Sequence, residues 1–210
     1  MRRSREDTAE TRAKIVAVAA RLFRARGIDA TSVADVMAAL GLTVGGFYRH
    51  FDSKEALVAE AIDAASRETS ERYVAKPGSG EASVDLVSLL DGYLSDGHRK
   101  HAGQGCPVVA LCSEVGHGSK ETKKAFTGAM ERLLTTVDAA IGRAAGGAGA
   151  DRETVLFAAS AAVGAMVLAR ATHDEALAGE LLSAVRKRLL QLRESGRPRS
   201  ASPGVTRTRP

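Results

Sequence analysis

The 210-residue sequence predicts an all-α fold. Apolar residues recur at the three- and four-residue spacing of amphipathic helices along nearly the whole chain. No segment shows the strict alternation of apolar and polar residues that is typical of a half-buried strand. Breaks rich in glycine, proline and serine separate the periodic segments, most clearly at residues 76–83 (KPGSGEAS) and 143–150 (RAAGGAGA).

The first two helices have recognisable ends. Asp7 or Thr8 is expected to cap the first helix, and Gly27 is placed to end it. Its apolar face comprises Ile15, Val18, Ala19, Leu22 and Phe23. Ser32 and Asp35 fit the Ser-x-x-acid capping box, which predicts that a second helix begins there.

Two more helices follow closely. Gly41 is expected to end the second helix, and Thr43 to cap a third helix that runs to about His50. Asp52 then caps a fourth helix, with Glu55 at its third position. The composition break at residues 76–83 predicts that the junction between this N-terminal head and a larger body lies there or slightly earlier.

The body is predicted to contain further helices separated by polar loops. Their expected ranges are Val84–Leu94, Pro107–Val115, Ser119–Ile141, Arg152–Thr172 and Asp174–Leu192, with a loop over Ser95–Gly105. Ser119–Ile141 is the clearest amphipathic helix. Its apolar face comprises Phe126, Met130, Leu133, Leu134, Val137 and Ile141. From Ser195 onward Arg, Pro, Ser and Gly dominate, which predicts disorder.

Charge and composition narrow the class of protein. The formal net charge is +5, and the basic residues concentrate at the two ends: residues 1–26 hold eight Lys or Arg against three acids, and residues 193–210 hold five Arg against one acid. This pattern permits an anionic partner. The two cysteines do not suggest a disulfide framework. No signal peptide is recognisable, and the apolar run at residues 157–169 is shorter than the roughly 20 residues that span a bilayer. A cytoplasmic protein without a membrane partner is expected.

An ordered set of residues in the head resembles the DNA-binding head of the TetR family of bacterial transcriptional regulators. The matching residues are Ile15, Ala19, Leu22, Phe23, Gly27, Thr31–Val33, Asp35–Val36, Gly41–Leu42, Gly45, Phe47–Phe51 and Ser53–Leu57. The resemblance implies an N-terminal three-helix helix-turn-helix head on a larger helical ligand-binding and dimerisation body. The expected domains are residues 8–60 for DNA binding, 61–192 for effector binding and dimerisation, and 193–210 as a disordered basic tail.

A helix-turn-helix places the start of its second helix in the major groove of double-stranded DNA while flanking groups hold phosphates. Gly45 and Gly46 lie at that start, where the absence of side chains lets the backbone come close to DNA. Tyr48 and His50 suit phosphate oxygens, and Lys54 adds charge at the next helix start. The full predicted contact set is Ser32, Thr43, Val44, Gly45, Gly46, Tyr48, Arg49, His50 and Lys54.

The sequence departs from the family pattern at two positions. Ala34 and Val44 stand where relatives often carry basic or polar residues that reach bases. Fewer base-specific hydrogen bonds are therefore expected, so that affinity depends on phosphate contacts and DNA shape. Arg2, Arg3 and Arg5 can enter a minor groove as a flexible arm.

In the resembled family the body binds a small molecule and forms a homodimer on an inverted-repeat operator. The small residues of the penultimate helix and the leucines of the last one suit a four-helix interface. The predicted interface residues are Ala158, Ala162, Ala165, Leu181, Val185 and Leu189. The predicted effector-pocket residues are Leu89, Tyr93, Cys106, Val109, Met130, Leu134, Phe157 and Met166.

The sequence leaves other functions open beside that of a repressor that an effector releases. Cys106 precedes Pro107 at a helix start, which would lower the pKa of its thiol and suit a redox sensor. A regulator without an effector also stays open. His98 and His101 lack a third ligand at useful spacing, so no metal or other cofactor is predicted. The sequence shows neither a paired nucleophile and base nor a glycine-rich phosphate loop, so an enzyme is not predicted.

Overall fold

A computed structural model of the protein describes residues 5–74, 85–144 and 150–195. The helices in those residues are α1 (Arg5–Arg26), α2 (Val33–Ala38), α3 (Val44–Phe47), α4 (Lys54–Val74), α5 (Leu86–Tyr93), α6 (Asp96–Lys100), α7 (Pro107–Val115), α8 (Lys120–Ala144), α9 (Arg152–Ala171) and α10 (Glu175–Ser195), with a 3₁₀ turn at Ala102–Gln104. None of these residues forms a strand, and the all-α prediction is confirmed. The predicted junction at 76–83 and tail residues 196–210 lie outside the described residues.

The ends of the first two helices follow the predicted glycines and capping residues. α1 ends before Gly27, which has a φ of +96°, and Gly41 has a φ of +66° just after α2. Ser32 and Asp35 form a complete capping box. The predicted cap of α1 is wrong: the helix already includes Arg5, so that Asp7 and Thr8 lie inside it.

The third and fourth helices differ from their predicted ends. α3 ends at Phe47 rather than near His50, because Gly45 and Gly46 are poor helix formers. The chain continues in a 3₁₀-like turn, in which the amide of His50 donates to the carbonyl oxygen of Phe47, three residues earlier, at 2.8 Å. Ser53, and not Asp52, caps α4: its Oγ accepts a hydrogen bond from the amide of Ala56 at 3.1 Å.

The helix α4 joins the head to the body. It packs lengthwise against α8 and against α1, while α9 and α10 pack together and against α8. Large side chains of the head are fully buried in this assembly, among them Ile15, Phe23, Met37, Phe47 and Leu57. The predicted domain boundary after residue 60 falls inside α4, and its position stays a prediction.

The segment Ser95–Gly105 is not the predicted open loop. Ser95 caps α6 by accepting a hydrogen bond from the amide of His98 at 3.0 Å, and the 3₁₀ turn that follows packs on α1. Arg24 of α1 donates to the carbonyl oxygen of Gly105 at 2.8 Å, which ties this segment to the head. The polar composition predicted a loop because each helical piece is too short to show a period.

Helix α9 is apolar on two opposite faces. Ala158, Ala162, Met166 and Ala169 lie inward and are buried against the rest of the subunit. By length and composition alone α9 could cross a membrane, a test that buried core helices also pass. Leu156, Phe157 and Leu168 of the same helix are 41, 54 and 56 % exposed, so that part of its apolar surface is left uncovered.

Candidate nucleic-acid interface

The short helix α3 is held by a small aromatic cluster. The Phe47 ring is fully buried and stacks on Phe51 with ring centroids 5.4 Å apart. The rings of Tyr48 and Phe47 pack edge to face, with their centroids 5.2 Å apart. Tyr48 is nevertheless 66 % exposed, and Val44 is 44 % exposed. The buried rings therefore fix the orientation of α3 while the adjacent side chains face solvent.

The start of α3 presents bare backbone. A Cβ added to Gly45 would meet no atom within 4 Å, and one on Gly46 would touch only Met37 and Thr43 at 3.7 Å. Thr43 has the extended backbone of an N-cap, but its side chain makes no capping hydrogen bond. Its hydroxyl group is therefore not committed to capping α3. This edge can approach a flat or grooved surface closely.

The two predicted cationic contacts, Arg49 and Lys54, differ in whether they already make a hydrogen bond within the protein. Arg49 is exposed beside Tyr48. The ammonium group of Lys54 instead donates to the carbonyl oxygen of Ile28 at 2.7 Å. Lys54 thus joins α4 to the turn between α1 and α2, and an ammonium group retains two further donors for an anion.

Ser32 is engaged in its own capping box. Its Oγ donates to Oδ2 of Asp35 at 2.5 Å and accepts from the Asp35 amide at 3.1 Å. These hydrogen bonds lower the pKa of Asp35, which keeps the carboxylate charged. The hydroxyl proton of Ser32 is already donated to Asp35, so Ser32 can donate to a phosphate only if that hydrogen bond breaks. Its contact with DNA stays a prediction.

A brace not expected from the sequence supports the end of the recognition segment. Arg12 of α1 forms a bidentate pair with Glu60 of α4, in which the Nη1 to Oε2 distance is 2.6 Å. Its Nε donates to the carbonyl oxygen of His50 at 3.3 Å, and its guanidinium lies 4.5 Å from the centre of the Phe51 ring. The pair joins residues 48 positions apart, so no local pattern reveals it.

The body contains an apolar pocket that holds two of the predicted effector residues, Leu89 and Tyr93. Its free interior space is only about 20 Å³, roughly the room that one water molecule needs. Its described lining comes from four helices and comprises Leu86, Leu89, Leu90, Tyr93, Leu133, Val137, Ile141, Ala158, Ala159, Ala162, Leu189 and Leu192. A small-molecule effector therefore requires these four helices to move apart before it can enter.

The other predicted pocket residues do not line this apolar pocket. Met130 is 41 % exposed and Phe157 is 54 % exposed, so these two side chains lie on the surface. Cys106 lines a smaller neighbouring cavity with Tyr73 and Leu133. Val109, Leu134 and Met166 are buried core residues. Periodicity identified apolar positions but could not distinguish a pocket wall from packed core.

The predicted activation of Cys106 is wrong. Cys106 does precede Pro107 at the start of α7, but it is buried, and that burial raises the pKa of its thiol. The hydrogen bonds from Tyr93 and the first amides of α7 lower the pKa by less. The protonated thiol is a poor nucleophile. In the part of the chain that the structure describes, no group of three His, Cys, Asp or Glu is arranged to hold a metal ion.

The predicted interface residues mostly face inward. Ala158, Ala162, Ala165 and Leu189 are buried within the subunit, whereas Leu181 and Val185 are partly exposed. The outward face of α9, together with the start of α10, is a separate apolar surface. Its most exposed large residues are Leu156, Phe157, Leu168 and Leu177. The small alanines serve close packing inside one chain, so this outward face is the better candidate for dimer contact.

Comparison with known proteins agrees with the geometry of the head. Residues 15–61 match the family model described as bacterial regulatory proteins, tetR family. The HTH-type transcriptional regulator TtgR of Pseudomonas putida is 38 % identical over 90 residues, which cover 43 % of this chain and 42 % of TtgR. This chain therefore matches less than half the length of that relative.

Longer matches extend the similarity to the body. An uncharacterized HTH-type transcriptional regulator of Mycobacterium tuberculosis is 29 % identical over 172 residues, covering 78 % of this chain and 86 % of the relative. The crystal structure of a TetR-family regulator from Cytophaga hutchinsonii has a TM-score of 0.71 at 21 % identity, covering 92 % of this chain and 98 % of that one. At this identity the structural likeness establishes the fold.

Proposed function

Residues 15–61 of this chain belong to the TetR family of bacterial regulatory proteins, and on that basis we propose that the protein is a transcriptional repressor. In this proposal the protein is a cytoplasmic homodimer, and it leaves its operator when a small molecule binds in the body. The carrying observation is the open start of α3. Gly45 and Gly46 leave the backbone bare there, and the buried Phe47 holds the helix in place. This arrangement suits insertion into a major groove.

The proposed DNA contacts divide into positioning and base contacts. Tyr48 and Arg49 are exposed beside α3 and are assigned to phosphates, together with His50 and Lys54. Thr43 and Val44 face the bases, where Val44 can contact only apolar groups such as a thymine methyl. Affinity is therefore expected to fall steeply with salt concentration.

The dimer is proposed to form through the outward face of α9 with the start of α10. Phe157 and Leu168 lie on one stripe of α9, eleven residues apart, and are 54 % and 56 % exposed. Gly164 lies between them, and a Cβ there would meet nothing within 4 Å, which allows close helix approach. An uncovered apolar surface of this kind marks an interaction site.

The body and head are connected in a way that supports effector release. Glu114 near the end of α7 accepts hydrogen bonds from the amides of Ile28 and Asp29, at 2.7 and 3.0 Å, in the turn between α1 and α2. At the other end of α7, Cys106 adjoins Tyr93 of the apolar pocket. A ligand that moves α7 would therefore shift the position of the head.

The test is a footprint on DNA that flanks the protein's own coding sequence. A repressor of this type protects a short inverted repeat, with half-sites set by the two-fold axis of the dimer. Tyr48→Ala is expected to abolish protection, whereas the control Met130→Ala, at an exposed body position, leaves it unchanged. Binding without an inverted repeat, or full protection by Tyr48→Ala, contradicts the proposal.

A further inference from the structure

A polar cleft next to the apolar pocket is already open to a ligand. It lies between the end of α4, the helix α5 and the segment Ser95–Gly105, and its free interior space is about 450 Å³. Its described lining includes Arg72, Leu89, His98 and Gln104, of which Leu89 also lines the apolar pocket. This volume is within the range of small-molecule sites, so a ligand can enter without the helix movement that the apolar pocket requires.

The wall of the cleft carries positive charge that no acid on that wall balances. Arg72 is part of the lining, and none of the described lining residues is an Asp or a Glu. Glu68 accepts a hydrogen bond from Arg72 at 2.9 Å, but the same carboxylate also accepts one from the buried Arg24 at 2.8 Å. One negative charge therefore serves two guanidinium groups, and one positive charge is left over at the cleft.

A second cation, Arg170, lies behind the cleft. Its Nη2 donates to the carbonyl oxygen of His98 at 2.6 Å, and its Nε is buried without a hydrogen-bond partner. Burial lowers the pKa of Arg170, and among the described residues no carboxylate forms an ion pair with it. Burial also lowers the pKa of His98 to about 4, and the charges of Arg170 and Arg72 lower it further. Both guanidinium groups therefore lie near the His98 ring, where they favour an anion in the cleft.

The guanidinium group of Arg72 retains donors for such an anion. Its Nη1 donates to the carbonyl oxygen of Gln104 at 2.6 Å, and its Nη2 donates to Glu68 at 2.9 Å. A guanidinium group has five N–H donors, so three remain. The Arg72 side chain is 44 % exposed, so that a ligand can reach them. Arginine pairs well with a carboxylate because the two planar groups match, and Leu89 offers apolar surface to the rest of the ligand.

The cleft is connected to the head through the 3₁₀ turn at Ala102–Gln104, which packs on α1. Arg72 holds the end of this turn through the carbonyl oxygen of Gln104. Arg24 of α1 holds the next residue through the carbonyl oxygen of Gly105, at 2.8 Å. A ligand that draws Arg72 away from Gln104 would therefore loosen a segment that contacts the head and leads directly into α7.

We propose that the effector is a small molecule with a carboxylate group, that it binds in this cleft, and that Arg72 pairs with the carboxylate. This inference rests on the proposed function, because it names the ligand class and the binding site of the same regulator. Arg72 distinguishes a carboxylate from a neutral group of the same shape. Because Arg72 also holds the 3₁₀ turn, ligand binding weakens the grip of the head on the operator.

Two naphthalene probes of nearly equal size test the requirement for charge. 2-Naphthoate carries a carboxylate, and 2-naphthamide carries a neutral amide in its place. Isothermal titration of the full chain is expected to show that 2-naphthoate binds about tenfold more tightly, the factor that a hydrogen bond to a charged group contributes. In NMR spectra of ¹⁵N-labelled protein, 2-naphthoate should shift the amide signals of Gly97 and Gly105, because both residues line the cleft.

Two variants, each with a matched control, locate the site. Arg72→Gln should weaken 2-naphthoate about tenfold and leave 2-naphthamide unchanged. Its control is Arg67→Gln, at an exposed position of α4 outside the cleft, which should bind both probes as the parent does. Gly97→Leu should fill the cleft and block 2-naphthoate without unfolding the protein, because a Cβ there would meet only the Ser95 Oγ, at 3.6 Å. Its control is Gly128→Leu on α8, where a Cβ would meet only a side-chain atom of Arg132, at 3.9 Å.

Four outcomes of these titrations overturn the inference. They are no binding of 2-naphthoate by the parent, equal affinity for 2-naphthamide, parent-like binding of 2-naphthoate by Arg72→Gln, and parent-like binding by Gly97→Leu.

A DNA-binding titration on the same samples separates this inference from the proposed function. Saturating 2-naphthoate is expected to weaken operator binding by the parent about tenfold, within the usual range of coupling between two sites, and to affect Arg72→Gln much less at the same concentration. If the parent binds no operator, the proposed repressor is wrong, whatever the probes do. If the parent binds operator equally with and without 2-naphthoate, the cleft is not the effector site, and this inference alone is overturned.

Discussion

The carboxylate of Glu114 lies directly against Gly27, and only 2.8 Å separates its Oε1 from the position that a Cβ on Gly27 would occupy. Gly27 has a φ of +96°, so it can adopt the turn that ends α1 and leave room for the carboxylate. Glycine at this position therefore serves both the backbone turn and the contact between body and head.

Gly27→Ala should destabilise the protein more than the equivalent change at Gly41. Both glycines have positive φ, at +96° and +66°, but a Cβ on Gly41 would meet nothing within 4 Å. Strain alone costs on the order of 1 kcal/mol at Gly41, whereas Gly27→Ala adds displacement of Glu114 and is expected to cost about 2–3 kcal/mol. Urea unfolding of both variants measures the difference, and equal losses would contradict the steric role of Glu114.

Glu114→Ala should loosen the turn after α1 without unfolding the protein. The carboxylate accepts from the amides of Ile28 and Asp29, and its loss leaves those two donors to water. Amide hydrogen exchange at these two residues is expected to become at least tenfold faster, because about 1.4 kcal/mol of local protection corresponds to that factor. The control is Glu121→Ala, at an exposed position in the first turn of α8. Unchanged exchange at Ile28 would show that Glu114 does not hold the turn.

The turn after α1 also shows what the sequence could and could not predict. Gly27, Gly41 and the Ser32 capping box follow from local chemistry, and all three were placed correctly. The contact between Ile28 and Glu114 joins residues 86 positions apart, and such tertiary contacts leave no local pattern. Similarly, both faces of α9 are apolar, so that periodicity could not decide which face the subunit buries.

Gly45→Ala should weaken DNA binding while leaving the free protein folded. The added methyl group meets nothing within 4 Å, so the subunit is not disturbed, but it stands where the backbone of α3 is proposed to enter the groove. We expect affinity for the operator to fall about tenfold or more, equivalent to about 1.4 kcal/mol. Gly128→Ala adds a methyl group on α8, 3.9 Å from Arg132, and serves as the control. Equal affinity for both variants would place the groove contact elsewhere.

Leu168→Glu should convert the dimer into monomers. Leu168 is 56 % exposed on the proposed interface, and a carboxylate buried between two copies would lose its hydration without a partner. Met130→Glu is the matched control, because Met130 is 41 % exposed on α8, outside that surface. Light scattering after size-exclusion chromatography measures the mass. A dimer that survives Leu168→Glu, or dissociates equally with Met130→Glu, contradicts the proposed interface.

The protein should lose stability as the pH falls from 6.5 towards 4, and His98 should account for part of the loss. Burial lowers the pKa of His98 from 6.5 to about 4, even though its hydrogen bond to the Tyr93 carbonyl oxygen opposes the shift. The unfolded chain therefore binds a proton in this window that the folded chain does not, and stability is retained above pH 6.5. The shift corresponds to at most about 3 kcal/mol, reduced by partial exposure of the ring.

The hydrogen bonds of His98 also favour its neutral form in the folded protein. In its neutral form Nε2 accepts from the Cys106 amide at 3.0 Å, and protonation would turn this acceptor into a donor facing a donor. His98→Gln should flatten the dependence of unfolding free energy on pH between 4 and 6.5, whereas His101→Gln, at an exposed position, should leave it as in the parent. Urea unfolding at a series of pH values measures both slopes. If the two variants retain the slope of the parent, His98 is not the group that titrates, and the junction of α5, α6 and α7 does not depend on its protonation.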